Sequence, residues 1–99
     1  MSQPVISPDE LNDHLTHLPG WTLEGKSLNS TFEFADFVTA LQFVNLVGTA
    51  AEAINHHPDI DSRYNKVKLH LTTHDSGGVT KNDIELAAAA DGYAEAFSR

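Results

Sequence analysis

The amino-acid sequence predicts a single α+β domain built from four strands and three helices. Three stretches place apolar residues at helical spacing, and each begins with residues that commonly start a helix. Between them lie stretches in which apolar and polar residues alternate with the two-residue period of a strand. A chain of 99 residues is long enough for one domain and too short for two, so we expect the domain to span residues 1–99.

The first predicted elements are a short helix and a hairpin. Ser7 is followed by Pro8 and two acidic residues, which is typical of a helix start because proline suits the first helical position. Residues 21–23 and the stretch SLNSTFEF are then predicted to pair as a hairpin with its turn at residues 24–26. In the second of these strands apolar and polar side chains alternate, as they do when one face of a sheet is buried.

A long central helix is predicted to follow Asp36, whose side chain can cap the first turn. Pro58 has no backbone N–H and disfavours a helical conformation for the residue before it, so we expect the helix to end near His56 or His57. The buried stripe of this helix is predicted from residues that recur at helical spacing: Phe37, Leu41, Val44, Val47, Gly48, Ala51 and Ile54.

The second half of the chain predicts a strand pair and a last helix. The stretch IDSRYNKVKLHLTTH supplies two strands with a turn near Asn65, and Val67, Leu69 and Leu71 are expected to share one face. After a DSGG loop, the residues TKND resemble a capping box that opens the final helix. Its apolar positions are Leu86, Ala90, Tyr93 and Phe97.

The composition excludes several classes of protein. Fourteen acidic against six basic residues give a formal net charge of −8, which repels nucleic acid unless a basic patch overrides it. Arg63, Lys66 and Lys68 do cluster, and we interpret them as the solvent face or guarded edge of a strand. No run approaches the roughly 20 apolar residues of a membrane helix, and no signal peptide is evident. The absence of cysteine excludes disulfides and thiolate chemistry and is typical of a cytoplasmic protein.

Six histidines are present, and their spacing argues against a metal site. His56 and His57 are adjacent, so on a helix their side chains would diverge by about 100°. His70 and His74 would be separated by roughly 13 Å on a strand. No G-x-S-x-G elbow or P-loop spacing is present either, so nucleophilic catalysis and a nucleotide site are not indicated.

Proton transfer is the chemistry that this histidine pair suits best. Imidazole titrates near neutral pH, with an ordinary pKa of about 6.5, and two histidines at a helix end can reach one cleft from different angles. Glu52 lies one turn before His56 and is expected to hold its ring by a hydrogen bond. Considered alone, the pair also fits ordinary polar residues at a helix C-terminus, where the helix dipole favours cations.

A wider pattern resembles the signature of the pterin-4a-carbinolamine dehydratase family. Its identities occur at fixed spacing over 32 residues: Glu52, His56, His57, Pro58, Tyr64, His74 and Asp83. The early L…GW, the stretch YNKVKLHLTTH and the residues GGVTKND before the last helix are also similar to this family. The resemblance covers roughly residues 11–97.

The resemblance implies a fold and a reaction. The fold would be a four-stranded antiparallel sheet with three helices packed on one face, in a protein that forms homodimers or homotetramers. The reaction would dehydrate 4a-hydroxytetrahydrobiopterin to quinonoid dihydropterin without metal or other cofactor. It would recycle the pterin that aromatic amino acid hydroxylases oxidise.

The resemblance also implies the site residues. His56, His57 and His74 would be the catalytic histidines, with His57 and His74 sharing the acid and base roles and His56 binding the ring or assisting the opposite stereoisomer. Asp83 is expected to act chiefly as a helix cap, and Trp21 either borders the pterin or packs in the core. The residues implied to bind substrate are Glu52, Pro58, Thr73, Asp75, Ser76, Trp21 and Asp83.

Two other functions stay open from the sequence. One is a protein-binding scaffold, as in mammalian relatives that serve as dimerisation cofactors of a homeodomain transcription factor. The other is an enzyme of the same fold that acts on another pterin, such as a molybdopterin-related compound. In either case we expect no direct contact with nucleic acid or membrane.

Overall fold

The computed structural model describes residues 3–97. The predicted fold class is confirmed: three helices accompany one four-stranded antiparallel sheet with the strand order β1-β2-β4-β3. The predicted domain boundaries at residues 1 and 99 lie outside the described residues. In chain order the elements are α1 (Pro8–Leu15), β1 (Thr22–Glu24), β2 (Ser27–Glu33), α2 (Phe37–Ala53), β3 (Asp59–Arg63), β4 (Lys66–Leu71) and α3 (Lys81–Phe97).

The predicted helix starts and the first hairpin turn are confirmed. The Ser7 hydroxyl accepts a hydrogen bond from the Glu10 N–H at 3.3 Å, and the Asp36 carboxylate accepts one from the Thr39 N–H at 2.8 Å. Each cap satisfies a backbone donor that has no partner within its own helix. In the hairpin, Gly25 adopts a φ of 62°, a left-handed conformation that glycine takes without steric cost.

The core lies between one face of the sheet and the helices. Alternate residues of the central strands point into it, and the neighbouring residues point to the opposite, polar face. Several buried helix positions are alanines, which let α2 and α3 approach each other and the sheet closely. The core side chains from these elements include Leu28, Val67, Leu69, Leu71, Phe43, Val47, Leu86, Ala87 and Ala90.

The predicted buried stripe of α2 is wrong in its first half. Phe37 and Leu41 are 45% and 40% exposed, while Ala40 and Phe43 are buried in their place. The prediction holds farther along the helix, where Val47 is buried. Because α2 carries apolar residues on most of its circumference, its sequence pattern does not select the face that packs. That choice is made by the fit against β4 and α3.

The polar face of the sheet carries the basic cluster, as predicted. Arg63 pairs with Asp61 at 3.1 Å, and Lys66 lies 3.9 Å from Glu33. All four side chains are largely exposed, and exposed pairs of this kind contribute about 0–1 kcal/mol each to stability. Among residues 3–97, no helix combines the length and apolar character that crossing a bilayer requires.

Candidate active site at the ends of α2 and β4

Helix α2 ends at Ala53 in a Schellman motif that sets the position of the first histidine. Asn55 adopts a left-handed φ of 50°. The His56 N–H then donates to the Ala51 carbonyl at 3.0 Å, and the Asn55 N–H donates to the Glu52 carbonyl at 3.2 Å. The prediction that the helix continues to the histidine pair is therefore wrong, because the left-handed asparagine stops it before the proline can.

Asp83 lies at the centre of the site, with 0% of its surface exposed. Its Oδ1 meets Nε2 of His56 at 2.5 Å, and its Oδ2 accepts from the Thr73 hydroxyl at 2.8 Å and the Thr80 N–H at 2.9 Å. The Thr80 hydroxyl donates in turn to Thr73 at 2.7 Å. Because an ionised carboxylate only accepts, Nε2 of His56 carries the proton, and a neutral ring keeps its lone pair on Nδ1.

Asp83 therefore does more than the expected capping. Its bond to the Thr80 N–H is the capping contact that the TKND pattern predicts at the start of α3. The same carboxylate also holds His56, which is 27 residues away in sequence. One buried group thus joins the end of α2, the segment after β4 and the beginning of α3.

Glu52 binds the second histidine, not the first. Its Oε2 is hydrogen-bonded to Nε2 of His57, and the two side chains are 76% and 57% exposed. The prediction that Glu52 holds His56 is wrong because it assumed a helix continuing through that residue. The left-handed turn at Asn55 instead directs His56 inward to Asp83 and leaves His57 beside Glu52.

His74 lies in a tight turn that follows β4. A bridge pairs Thr73 with Gly78, and the Thr73 carbonyl accepts from the N–H groups of Ser76 at 3.1 Å and Gly77 at 2.9 Å. Gly77 has a φ of 77°, again a conformation that favours glycine. The His74 imidazole is exposed and makes no hydrogen bond with a described residue, so both of its ring nitrogens are open to a ligand or water.

The two histidine segments meet at one end of the sheet. Strand β3 begins where the antiparallel β4 ends, with Asp59 paired to His70, so residues 56–58 lie beside the chain that leaves β4. The hydrogen bonds from His56 and Thr73 to Asp83 tie the two segments together. Since Thr73 immediately precedes His74, the three predicted catalytic histidines belong to one region of the molecule.

The family model described as "Pterin 4 alpha carbinolamine dehydratase" matches residues 4–93. The chain belongs to this family. A relative from Acidobacterium capsulatum is 46% identical over 86 residues, covering 87% of this chain and 94% of the relative. One from Chloroflexus aurantiacus is 50% identical over 88 residues, covering 89% and 95%. Both carry a provisional pterin-4-alpha-carbinolamine dehydratase name.

Two solved structures are similar to this dehydratase-family chain. One is a transcriptional coactivator/pterin dehydratase from Brucella melitensis, with a TM-score of 0.87, 35% identity, and coverage of 91% of this chain and 98% of that one. The other is a pterin dehydratase-like protein identified as a RuBisCO assembly factor in the alpha-carboxysome. Its TM-score is 0.62 at 20% identity, with 75% and 86% coverage, so it shares the fold alone.

Trp21, one of the predicted pterin-site residues of this family member, packs in the core. It is 4% exposed, its ring meets Phe32 edge-on at 5.9 Å, and its indole N–H donates to Asp91 Oδ1 at 2.9 Å. Burial raises the pKa of the Asp91 carboxyl, and the hydrogen bond from the indole partly offsets the rise. The small exposed area of Trp21 leaves little surface for contact with a pterin.

Sequence reasoning missed a second ordered histidine near this dehydratase-family site. Nδ1 of His70 lies 2.7 Å from Oδ1 of Asn29, whose amide donates to Ser27 Oγ at 3.1 Å. The alternating pattern places both Asn29 and His70 on the polar face, but pairing them requires the β2–β4 register, which the sequence does not supply.

A metal cluster is not found among residues 3–97: no group of three or more His, Asp and Glu side chains is arranged to hold an ion. The rings of His56 and His57 are directed to different carboxylates, which are Asp83 and Glu52. Each of the two imidazoles is therefore oriented by its own carboxylate.

Proposed function

We propose that this protein dehydrates 4a-hydroxytetrahydrobiopterin to quinonoid dihydropterin and water, using its histidines as acid and base. Membership of the family supports pterin dehydratase chemistry in general. The observation that carries the more specific proposal is the buried Asp83, which fixes His56 and connects it to the segment of His74.

The reaction needs two proton transfers and no electron transfer. A proton must reach the departing 4a-hydroxyl, so that it leaves as water, and the proton on N5 must be removed as the C4a=N5 double bond forms. The N5 lone pair expels the leaving group. Groups that exchange protons near neutral pH suffice for both steps, and imidazole is the side chain best suited to them.

The different exposures of the three histidines support a division of roles. His57 and His74 are exposed and can exchange protons with water, which suits an acid and a base that must be reset after each turnover. His56 is mostly buried, with Nε2 committed to Asp83, and therefore suits binding and orienting the pterin ring through Nδ1. Glu52 fixes the ring of His57 in the same way.

The remaining predicted residues have two proposed roles: some contact the substrate, and one positions a histidine. Pro58, Asp75 and Ser76 belong to the two segments that flank the histidines, and we propose that they form the wall against the amide edge of the pterin. The Ser76 hydroxyl also donates to the Gln3 carbonyl, which anchors its turn. Asp83, being fully buried, acts on substrate through His56 and not by direct contact.

A direct assay tests this proposal. Synthetic 4a-hydroxytetrahydrobiopterin dehydrates spontaneously, so the protein must raise the rate of quinonoid dihydropterin formation, measured by absorbance, above that background. A positioned acid or base contributes about 10²–10⁴-fold in rate. A rate equal to the background at micromolar protein would refute the dehydratase assignment, including the proposed role in pterin recycling for aromatic amino acid hydroxylases in the cytoplasm.

A second candidate function, protein association, is supported by the surface of α2. Phe37, Val38, Leu41 and Leu46 are all exposed, and exposed apolar surface that forms a patch marks sites of protein association. The similar Brucella protein is described as a coactivator as well as a dehydratase. We propose that the chain forms a homodimer or homotetramer, and light scattering that gives a monomer at micromolar concentration would contradict this.

A further inference from the structure

A cavity of about 280 Å³ opens on the polar face of the sheet, next to His74. It is lined by Lys26, Ser27, His70, Thr72, His74 and Gly77. His74 lines it and His56 and His57 do not, so the cavity adjoins the proposed reaction centre on the side of His74. Pockets that enclose a whole drug-sized ligand measure roughly 300–1,000 Å³, so this cavity suits one substituent of a ligand better than a bicyclic ring.

His70 is held in this cavity by a chain of hydrogen bonds that fixes its tautomer. Ser27 Oγ donates to the Glu24 carbonyl at 3.0 Å, so it accepts from the Asn29 amide at 3.1 Å. Oδ1 of Asn29 therefore faces His70 and accepts from Nδ1–H at 2.7 Å. The neutral ring keeps its lone pair on Nε2, which has no hydrogen-bond partner among residues 3–97.

The support behind His70 is itself ordered. Asn29 and Ser27 are both buried, although they lie on the polar face of the sheet, and both have their hydrogen-bonding groups satisfied. A buried polar network in which every member is paired holds its side chains in one geometry. The Nε2 acceptor of His70 is therefore a pre-oriented group and not a freely rotating surface imidazole.

The other lining groups complement this acceptor. The Thr72 hydroxyl donates to the Lys26 carbonyl at 2.6 Å, which leaves its oxygen lone pairs free to accept. The Lys26 ammonium supplies donors. A hydroxyl group both donates and accepts, so a ligand with neighbouring hydroxyls can use all three residues, whereas an alkyl group would leave them unpaired.

We propose that this cavity binds a hydroxylated substituent at C6 of the pterin and that His70 is a specificity-determining residue. The inference rests on the proposed function, because it uses His74 to locate the reacting atoms. In the pterin ring C6 is bonded to N5, and N5 is bonded to C4a. A histidine that acts at N5 or at the 4a-hydroxyl must therefore lie close to whatever C6 carries.

The kinetic test compares two substrates that differ at C6. We compare kcat/KM for two 4a-hydroxy substrates. One derives from tetrahydrobiopterin, which carries a dihydroxypropyl group at C6, and the other from 6-methyltetrahydropterin, which carries a methyl group there. We expect the wild type to favour the hydroxylated substrate by roughly three- to tenfold, the range of one neutral hydrogen bond. His70→Ala should reduce this preference to near unity, because it should lower kcat/KM for the hydroxylated substrate more than for the methyl compound. The control His17→Ala replaces an exposed histidine that is distant from His70 in the sequence, and it should keep the wild-type preference.

An equal loss of kcat/KM on both substrates would assign His70 a general role, and an unchanged preference would assign it none, so either result overturns the inference.

A binding measurement tests the subsite separately from the proposed function. Titration calorimetry with the stable oxidised compounds biopterin and 6-methylpterin should show the same preference in the wild type and its loss in His70→Ala. If neither carbinolamine is dehydrated but this preference is found, the dehydratase proposal fails and the subsite stands. Equal affinities in the wild type refute the subsite.

Discussion

Replacing Asp83 by asparagine tests the central contact of the site with almost no change in shape. The asparagine carbonyl can still accept from Thr73 and Thr80, but its NH₂ group would face the Nε2–H of His56, donor against donor. The ring must then move away or shift its proton to Nδ1. A hydrogen bond to a charged group contributes about 1.5–3 kcal/mol, and for a domain of this size each kcal/mol corresponds to about 4–8 °C in Tm.

We therefore expect Asp83→Asn to melt roughly 6–24 °C below the wild type and to lose about tenfold or more in turnover. Circular dichroism gives the melting temperature, the dehydration assay gives the rate, and ¹⁵N chemical shifts of the His56 ring report its tautomer. The shift of the ring proton is the readout that a purely structural cap would not produce.

The matched control is Asp91→Asn, on the same helix. Asparagine can still accept the hydrogen bond from the Trp21 indole. Since burial raises the pKa of Asp91 in the folded protein, the ionised carboxylate costs stability at neutral pH, and its replacement should leave Tm unchanged or higher. If Asp83→Asn melts low but keeps the wild-type rate and the same His56 tautomer, Asp83 is only a helix cap. If it also melts like the wild type, the contact is energetically unimportant.

Four further outcomes are expected. His57→Ala and His74→Ala should each lower turnover at least about tenfold with near-native melting, while the control His14→Ala, in α1 and outside the proposed site, should keep its turnover within about twofold of the wild type. Full activity in both site variants would contradict the acid–base roles. Incubation with a chelator should leave the rate unchanged, and a rate lost on chelation and restored by zinc would contradict the reaction proposed. Hydrogen bonds from the Thr39 side chain and then its backbone N–H lower the pKa of Asp36 from its ordinary value, so Asp36→Ala should melt lower than the wild type at neutral pH. The difference in Tm should vanish as the pH falls through the lowered pKa, and a pH-independent difference would count against this cap. Asn55→Gly should retain stability and activity, whereas Asn55→Val should lose both because valine is strained at positive φ. Equal melting temperatures of the two variants would refute the role of the left-handed turn.

Local signals in the sequence were sufficient for most of the fold. Ser7, Asp36 and the TKND stretch mark the helix starts because capping depends on residues within one turn. The alternating residues of β2 and β4 predicted which side chains face the core, since that pattern is imposed by the pleat. The buried face of α2 was not predictable in the same way, because Phe37 and Ala40 are both acceptable core residues and only the packed partners distinguish them.

The contacts within the candidate site were less predictable from local sequence than the fold. The histidines were predicted from the resemblance to the family signature, but their partners depend on contacts between distant segments. Glu52 was assigned to the wrong ring because one left-handed residue, Asn55, redirects the chain after the helix. The bond between His56 and Asp83 spans 27 residues, and no local pattern encodes it.

The position of Asp83 makes the integrity of the site observable through the backbone. The two oxygens of one carboxylate accept from the Thr80 N–H and hold His56, so we expect a fluctuation that displaces Asp83 from the first turn of α3 to release the imidazole as well. The rate at which the Thr80 amide exchanges its hydrogen for deuterium would then measure how often the histidine is freed. A ligand that clamps His56 should slow that exchange without touching the amide.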